Sequence, residues 1–161
     1  GFDTYVYSRS KAPNPKAELV EQIGAKYFSK YDISPQELAA KVGNIDLIYE
    51  AVGGSEVAFD VLQVLGTNGV FVFTGIPAPE TRLEIDSDIL MRRIVLENLA
   101  IVGTVNADRK AFEDAIADLG EFNRRWPETI KKVITGRYDI AEHQELLVGK
   151  SRGIKNVINF E

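Results

Sequence analysis

The sequence predicts an α/β fold built on a doubly wound parallel sheet, and three observations carry that expectation. Short β-branched and aromatic runs alternate with amphipathic helical stretches as far as Val105, the pattern of parallel strands wrapped by helices. One run, Val70 to Thr74, is apolar almost throughout, as a strand covered on both faces would be. The runs end in glycine or small polar residues, which let a flat ligand approach the carboxyl ends of such strands.

Thr4 to Tyr7 reads as the first strand, and it passes into Ser8, Arg9, Ser10 and Lys11 without an acid. Pro13 and Pro15 break the chain, with Pro15 suited to the first turn of a helix through Ile23. Leu19, Val20 and Ile23 give that helix an apolar stripe, and Gly24 ends it. Ala25 to Phe28 is a short strand. Ser34 and Glu37 have the spacing of a capping box, with Pro35 at the first helical position, for a helix to about Val42. Ile45 to Val52 forms the next strand and closes in Gly53, Gly54 and Ser55. A helix from Glu56 to Leu65 turns Val57, Phe59, Val61, Leu62, Val64 and Leu65 toward the sheet. Gly66 and Gly69 then return the chain to the Val70 strand, which Gly75 terminates.

Ile76 to Glu84, with Pro77 and Pro79, reads as loop. Asp86 or Ser87 caps a helix from about Asp88 to Asn98, with Ile89, Leu90, Ile94 and Val95 inward. Leu99 to Val105 is a strand that ends at Asn106, and it should form the outer edge of the sheet and a seam between copies. Asp108 caps a long helix to about Phe122, and Trp126 and Pro127 open another through Ile134. An extended piece from Gly136 to Asp139, a helix around Glu142 to Val148 and a strand from Ile154 to Phe160 complete the chain.

Composition narrows the function classes. The 161 residues suffice for one domain with a real core, with 45% apolar and 27% charged residues as in soluble globular proteins. A net charge of −5 argues against nucleic acid or an anionic membrane as partner. No apolar run reaches the roughly 20 residues of a membrane span, and the expected location is cytoplasmic. The chain has no cysteine, which removes disulfides, thiolate nucleophiles and Cys-ligated metal. Gly1 and Phe2 lead almost at once into a strand, so the chain is expected to be a piece of a longer polypeptide.

The chemistry is read at the strand ends, which are Ser8 to Ser10, Ala51 to Gly54, Thr74 to Ile76 and Thr104 to Asn106. At the tip of such a strand an Asp or Glu accepts hydrogen bonds from the ribose hydroxyls of NAD. Arg with small hydroxyl residues instead accommodates the 2′-phosphate of NADP. Ser8, Arg9 and Ser10 are of the second kind, although a basic turn after a strand is also what a solvated loop looks like. Each glycine alone is equally an ordinary turn. Glu50, Asp86, Asp88 and Asp108 sit in a strand or at helix starts, where structural roles are expected.

The run Ile45 to Gly53, with Leu65 to Val70 and Phe73 to Ile76, resembles the cofactor half of the medium-chain dehydrogenase/reductases. Leu96 to Asn106, then Phe112 and the Trp126 helix, is similar to the C-terminal part of the archaeal-type glucose 1-dehydrogenases. The likeness covers nearly the whole chain. It implies a Rossmann-like domain over residues 1–161, with a nucleotide-binding sheet and helices in 1–125. Residues 126–161 would return toward a missing catalytic domain. It also implies a zinc-dependent oxidation of an aldose such as glucose at its first carbon to the lactone, with NADP or NAD as coenzyme. Carried over residue by residue, Ser8, Arg9 and Ser10 would hold the ribose phosphate, and Thr74, Gly75 and Ile76 would flank the dinucleotide. Thr104, Val105 and Asn106 would lie near the nicotinamide, with Asn106 also facing the sugar. Lys150 is a weaker carry-over.

Two parts of that family pattern are absent from this sequence. The glycine-rich turn that cradles the pyrophosphate is missing, because the chain starts at what looks like the second strand. The zinc ligands are missing too, so any zinc belongs to an N-terminal domain outside this chain, and His143 is expected to be a surface residue. The fragment is therefore expected to be inactive alone. In the strand order 3-2-1-4-5-6 the lost strand is central, so the two strands beside it should pair with each other or with another chain. A homo-oligomer is also expected, with the exposed edge strand as its seam. Alternatives remain open: a zinc-free NADPH-dependent quinone or enone reductase, or a non-catalytic nucleotide-binding or interaction module. An S-adenosylmethionine methyltransferase would want an acid near Ser8 to Ser10, and none is there.

Overall fold

A computed structural model describes residues 2–78, 82–149 and 153–160. Lys150 and the loop positions 79–81 lie outside the described residues. The chain divides into two compact units, one of Gly1–Asp32 with Ala107–Glu161 and one of Ile33–Asn106.

In the first unit β1 (Tyr5–Ser8) pairs in parallel with β2 (Lys26–Ser29), and Ser8 stands opposite Ser29. The crossover is α1 (Pro15–Gln22), whose start is fixed by Asn14: its side chain accepts from the Lys16 and Ala17 amides, with Pro15 at the first turn. Such a cap stabilises a helix by about 1 kcal/mol. The second half of the unit opens with α5 (Arg109–Arg125), capped by Asp108, and continues in α6 (Pro127–Val133). β6 (Ile134–Asp139) then crosses through a short 3-10 turn (Ile140–Glu142) and α7 (His143–Val148) to β7 (Lys155–Asn159). β6 and β7 also pair in parallel, a ladder that the local pattern of the sequence does not announce.

In the second unit β3 (Leu47–Glu50), β4 (Val70–Phe73) and β5 (Ala100–Gly103) form a three-stranded parallel sheet in that order. α2 (Pro35–Val42) precedes it, with the Ser34–Glu37 capping box formed in both directions. The Ser34 amide and hydroxyl hold the Glu37 carboxyl below its ordinary range. The crossovers are α3 (Ser55–Leu62) and α4 (Ser87–Leu96), the latter capped by Asp86. Ala58, Leu62, Leu65, Phe71 and Leu99 make the core, with Ile48, Phe59, Phe73, Leu90 and Ile94 packed around it.

All ladders are parallel, as the alternation predicts, and β5 is an edge strand. Three expectations are corrected. Ile89 and Val95 point outward rather than inward, at 58% and 72% exposure, because α4 turns only Leu90 and Ile94 to the core. β4 is not covered on both faces: Phe71 is fully buried while Val70, Val72 and Phe73 are half-exposed. Of the two pairings expected for the strands beside the missing one, the direct pairing of β1 with β3 is not formed, since β1 ladders with β2 alone and β3 with β4 alone among the described residues. Each therefore keeps one side of its backbone unladdered.

Candidate functional site

The register of the second unit sets its crest. Glu50, Phe73 and Gly103 stand opposite one another across β3, β4 and β5, so the segments beginning at Ala51, Thr74 and Thr104 leave three neighbouring strands at one level. That brings Thr74, Gly75 and Ile76 alongside Thr104, Val105 and Asn106. Ile76 and Val105 are exposed at 77% and 72%, and Asn106 is exposed as well. An apolar surface with one side-chain amide beside it suits a flat heterocycle carrying a carboxamide.

The crest is stiffened from beneath by Glu50. Its carboxylate accepts from the Val52 amide at 2.8 Å and the Gly53 amide at 2.7 Å. Its carbonyl oxygen accepts from the Thr74 amide, the Gly75 amide and the Thr74 hydroxyl, the last at 2.8 Å. Peptide N–H and C=O groups point in opposite directions, so tying these amides inward turns the Ala51 and Val52 carbonyls outward as acceptors. Gly53 adopts φ +75°, and a Cβ there would lie 2.5 Å from the Ile76 carbonyl oxygen. A Cβ on Gly75 would run into the Gly53 amide nitrogen. Both glycines are thus required by the close crossing of the two loops. Sequence reasoning placed Glu50 correctly as structural but missed that it organises the crest; its position at a strand end, just before two glycines, is the local signal.

In the first unit the strand tip is held with equal economy. Tyr27 donates its hydroxyl to the Ser10 carbonyl at 2.7 Å, and the Asn14 amide group donates to the Lys11 carbonyl at 2.9 Å. The Ser8 hydroxyl accepts from the Ser10 amide at 3.3 Å. The turn carrying Arg9 is therefore fixed through its backbone while the Arg9 side chain is exposed. No hydrogen bond or ion pair engages it among the described residues. Tyr27 and Asn14 were not singled out from sequence, because their partners are backbone atoms that only the tertiary fold brings near.

The acids behave as their positions predict. Asp86 accepts from the Ile89 amide and Asp108 from the Ala111 amide, each as a helix cap. His143 is exposed and contacts the Ile140 carbonyl through Nδ1. No group of three or more His, Cys, Asp or Glu side chains that could hold a metal ion occurs among the described residues. No helix among them is long and apolar enough to cross a membrane.

Comparison with known proteins gives one consistent picture. The family model described as glucose dehydrogenase C-terminus matches residues 1–160. A glucose 1-dehydrogenase of Methanocella arvoryzae is 27% identical over 160 residues, which cover 99% of this chain and 45% of that protein. A glucose 1-dehydrogenase 2 of Vulcanisaeta moutnovskia is 32% identical over 164 residues, covering 99% and 44%. Among solved structures, Haloferax mediterranei glucose dehydrogenase in complex with NADP, zinc and gluconolactone superposes with a TM-score of 0.84 at 27% identity, over 100% of this chain and 44% of that one. The chain thus spans about half the length of the relatives it matches.

Proposed function

Because the chain belongs to the glucose dehydrogenase C-terminus family, we propose that it is the NADP-binding part of a zinc-dependent dehydrogenase oxidising an aldose such as glucose at its first carbon to the lactone. The observation that carries this reading is the common register of Glu50, Phe73 and Gly103, which aligns three glycine- or small-residue-bearing loops into one ledge. Two features, each within its own unit, support a nucleotide ligand: Gly53 and Gly75 are held side-chain-free where the loops cross, and Arg9 offers a guanidinium unengaged among the described residues on a fixed turn. When bound, the nicotinamide supplies the acceptor for the hydride.

This chain's share is orientation and selection. Arg9, with Ser8 and Ser10, pairs with the 2′-phosphate by charge-assisted hydrogen bonds. Thr74, Gly75 and Ile76 form one wall of the ledge. Thr104 and Val105 form the other, and Asn106 bonds the carboxamide and reaches toward the sugar hydroxyls. The zinc that polarises the substrate hydroxyl is held by a separate N-terminal part, toward which residues 126–161 return, and the chain does not oxidise sugar alone. The unladdered sides of β1 and β3 and the exposed Phe112, Ile116 and Leu119 of α5 support a further polypeptide segment as partner. The exposed edge strand β5 supports a seam between copies, in a cytoplasmic homo-oligomer.

Thermal shift with NADP and with NAD, on the chain and on Arg9→Glu in the complete enzyme, tests the reading. Stabilisation by NADP over NAD, reversed by Arg9→Glu, is the expected result. An Arg9→Glu enzyme with unchanged coenzyme preference removes Arg9 from the site.

A further inference from the structure

We propose that Tyr27 and Asn14 are positioning residues for coenzyme selection: they fix the backbone of the turn after β1 and occupy two of its carbonyl oxygens. The inference rests on the reading of this strand tip as a coenzyme site, and it concerns what holds the tip rather than which of its residues meet the nucleotide.

The argument begins with where the regular structure stops. The β1–β2 ladder ends at Ser8, opposite Ser29, and α1 does not begin until Pro15. Arg9, Ser10 and Lys11 lie between them and are exposed, so their backbone is held from outside the ladder. Tyr27 stands within β2, paired with Val6, and its hydroxyl reaches past the end of β1 to donate to the Ser10 carbonyl at 2.7 Å. The Asn14 amide group donates to the Lys11 carbonyl at 2.9 Å.

Both side chains are oriented by further partners. Asn14 Oδ1 accepts from the Lys16 and Ala17 amides, each at 3.0 Å, as the cap of α1. That commits its NH2 group to the opposite side, where it also donates to the Tyr27 hydroxyl at 3.3 Å. The hydroxyl accepts from Asn14 and gives its one proton to Ser10. Hydrogen bonds therefore run without a break from the start of α1 through Asn14 and Tyr27 to the turn. Both residues are half-buried, where such chains are stronger than in water.

The consequence is chemical as well as mechanical. A phosphate dianion accepts hydrogen bonds and is repelled by a free carbonyl oxygen, whereas a ribose hydroxyl can donate to one. Occupying the Ser10 and Lys11 carbonyls thus removes a repulsion felt by NADP and withholds a partner from NAD. The turn is also ordered before the ligand arrives, so binding does not have to order it.

Fluorescence titration of the complete enzyme with NADPH and with NADH, which differ only in the 2′-phosphate, tests the proposal on the wild type, Tyr27→Phe and Asn14→Ser. The phenylalanine keeps the ring and loses the hydroxyl. The serine keeps a capping oxygen for α1 and loses the NH2 group, so the clamp is removed without the cap. The expected result is a wild-type preference for NADPH that falls about threefold to tenfold in each variant, with NADH affinity unchanged or higher. A preference that survives in both variants overturns the roles of Tyr27 and Asn14 and leaves the coenzyme reading of the tip standing. An equal loss for the two coenzymes overturns them as well, since that is what a purely structural contribution would give. A wild-type enzyme with no preference for NADPH overturns the coenzyme reading of the tip, and this inference with it.

Discussion

Gly75 approaches Gly53 so closely that a methyl group added to it would strike the Gly53 amide nitrogen. The loops leaving β3 and β4 therefore cross backbone to backbone, with nothing flexible between them to yield. Gly75→Ala must push one loop off the ledge, at a cost of about 1–3 kcal/mol for overpacking. Urea denaturation should show a lower midpoint, and NADP affinity should fall with it. A Gly75→Ala protein with wild-type stability would mean that the crossing is looser than described.

Removing the Glu50 carboxylate tests the same ledge from below. Glu50→Ala leaves the Val52 and Gly53 amides to water, and because that loop is half-exposed the loss should be modest, about 1 kcal/mol. Its effect on ligand binding should be larger than its effect on stability, since the outward set of the Ala51 and Val52 carbonyls depends on those two bonds. Glu50→Gln keeps an acceptor oxygen and should recover part of the affinity. Calorimetry beside denaturant melts separates the two effects.

Arg93 ties α4 to the end of α3. Its guanidinium donates to the Gln63 carbonyl, to the Leu65 carbonyl at 2.7 Å, and through two nitrogens to both Glu97 oxygens. The bonds from Arg93 hold the Glu97 carboxyl below its ordinary range. Arg93→Ala should cost about 1–3 kcal/mol, since it removes charge-assisted bonds from a largely buried guanidinium. Arg93→Lys should recover little, because one ammonium cannot span two carbonyls and a carboxylate in the fork geometry. Equal stability of the lysine variant and the wild type would show that charge alone suffices.

These examples also show which parts of the molecule the sequence discloses. The caps at Ser34, Asp86 and Asp108 are legible because their partners lie within three residues along the chain. Parallel strands are legible from alternation, and the ledge from the small residues that end β3, β4 and β5. What is not legible is non-local. The β6–β7 ladder joins residues about twenty apart through a crossover, and Arg93 reaches a carbonyl 28 residues away. Ile89 and Val95 have the composition of core residues but lie outside the narrow stripe that faces Phe71 and Leu62. β1 and β3 belong to separate sheets, so of the two pairings expected of them the direct one is not formed. At the first strand tip, Arg9 is visible as a basic residue after a strand, whereas the pairing of Ser8 with Ser29 beside it is not.

The carboxyl end of α5 should carry a pH signature. Glu121 is bonded first by Arg124 and then by Arg125, and these bonds lower its carboxyl from 4.5 to about 2. A carboxylate near a helix C-terminus is opposed by the helix dipole, and the two arginines that follow it both satisfy the dipole and neutralise the acid. A folded-state value below the unfolded one contributes stability that is fully present above about 4.5 and is lost as pH falls toward 2. Both arginines are largely exposed and Glu121 is partly so, and the contribution is therefore small and screened by salt. Carbon-detected NMR titration of the glutamate side chains should show Glu121 still ionised well below 4.5. Adding 1 M salt should move its midpoint up, by shrinking the Debye length to about 3 Å. Glu121→Gln should flatten the acid limb of the α5 helicity profile without changing it near neutral pH. A Glu121 that titrates at its ordinary 4.5 would mean that the arginine pair does not persist in solution.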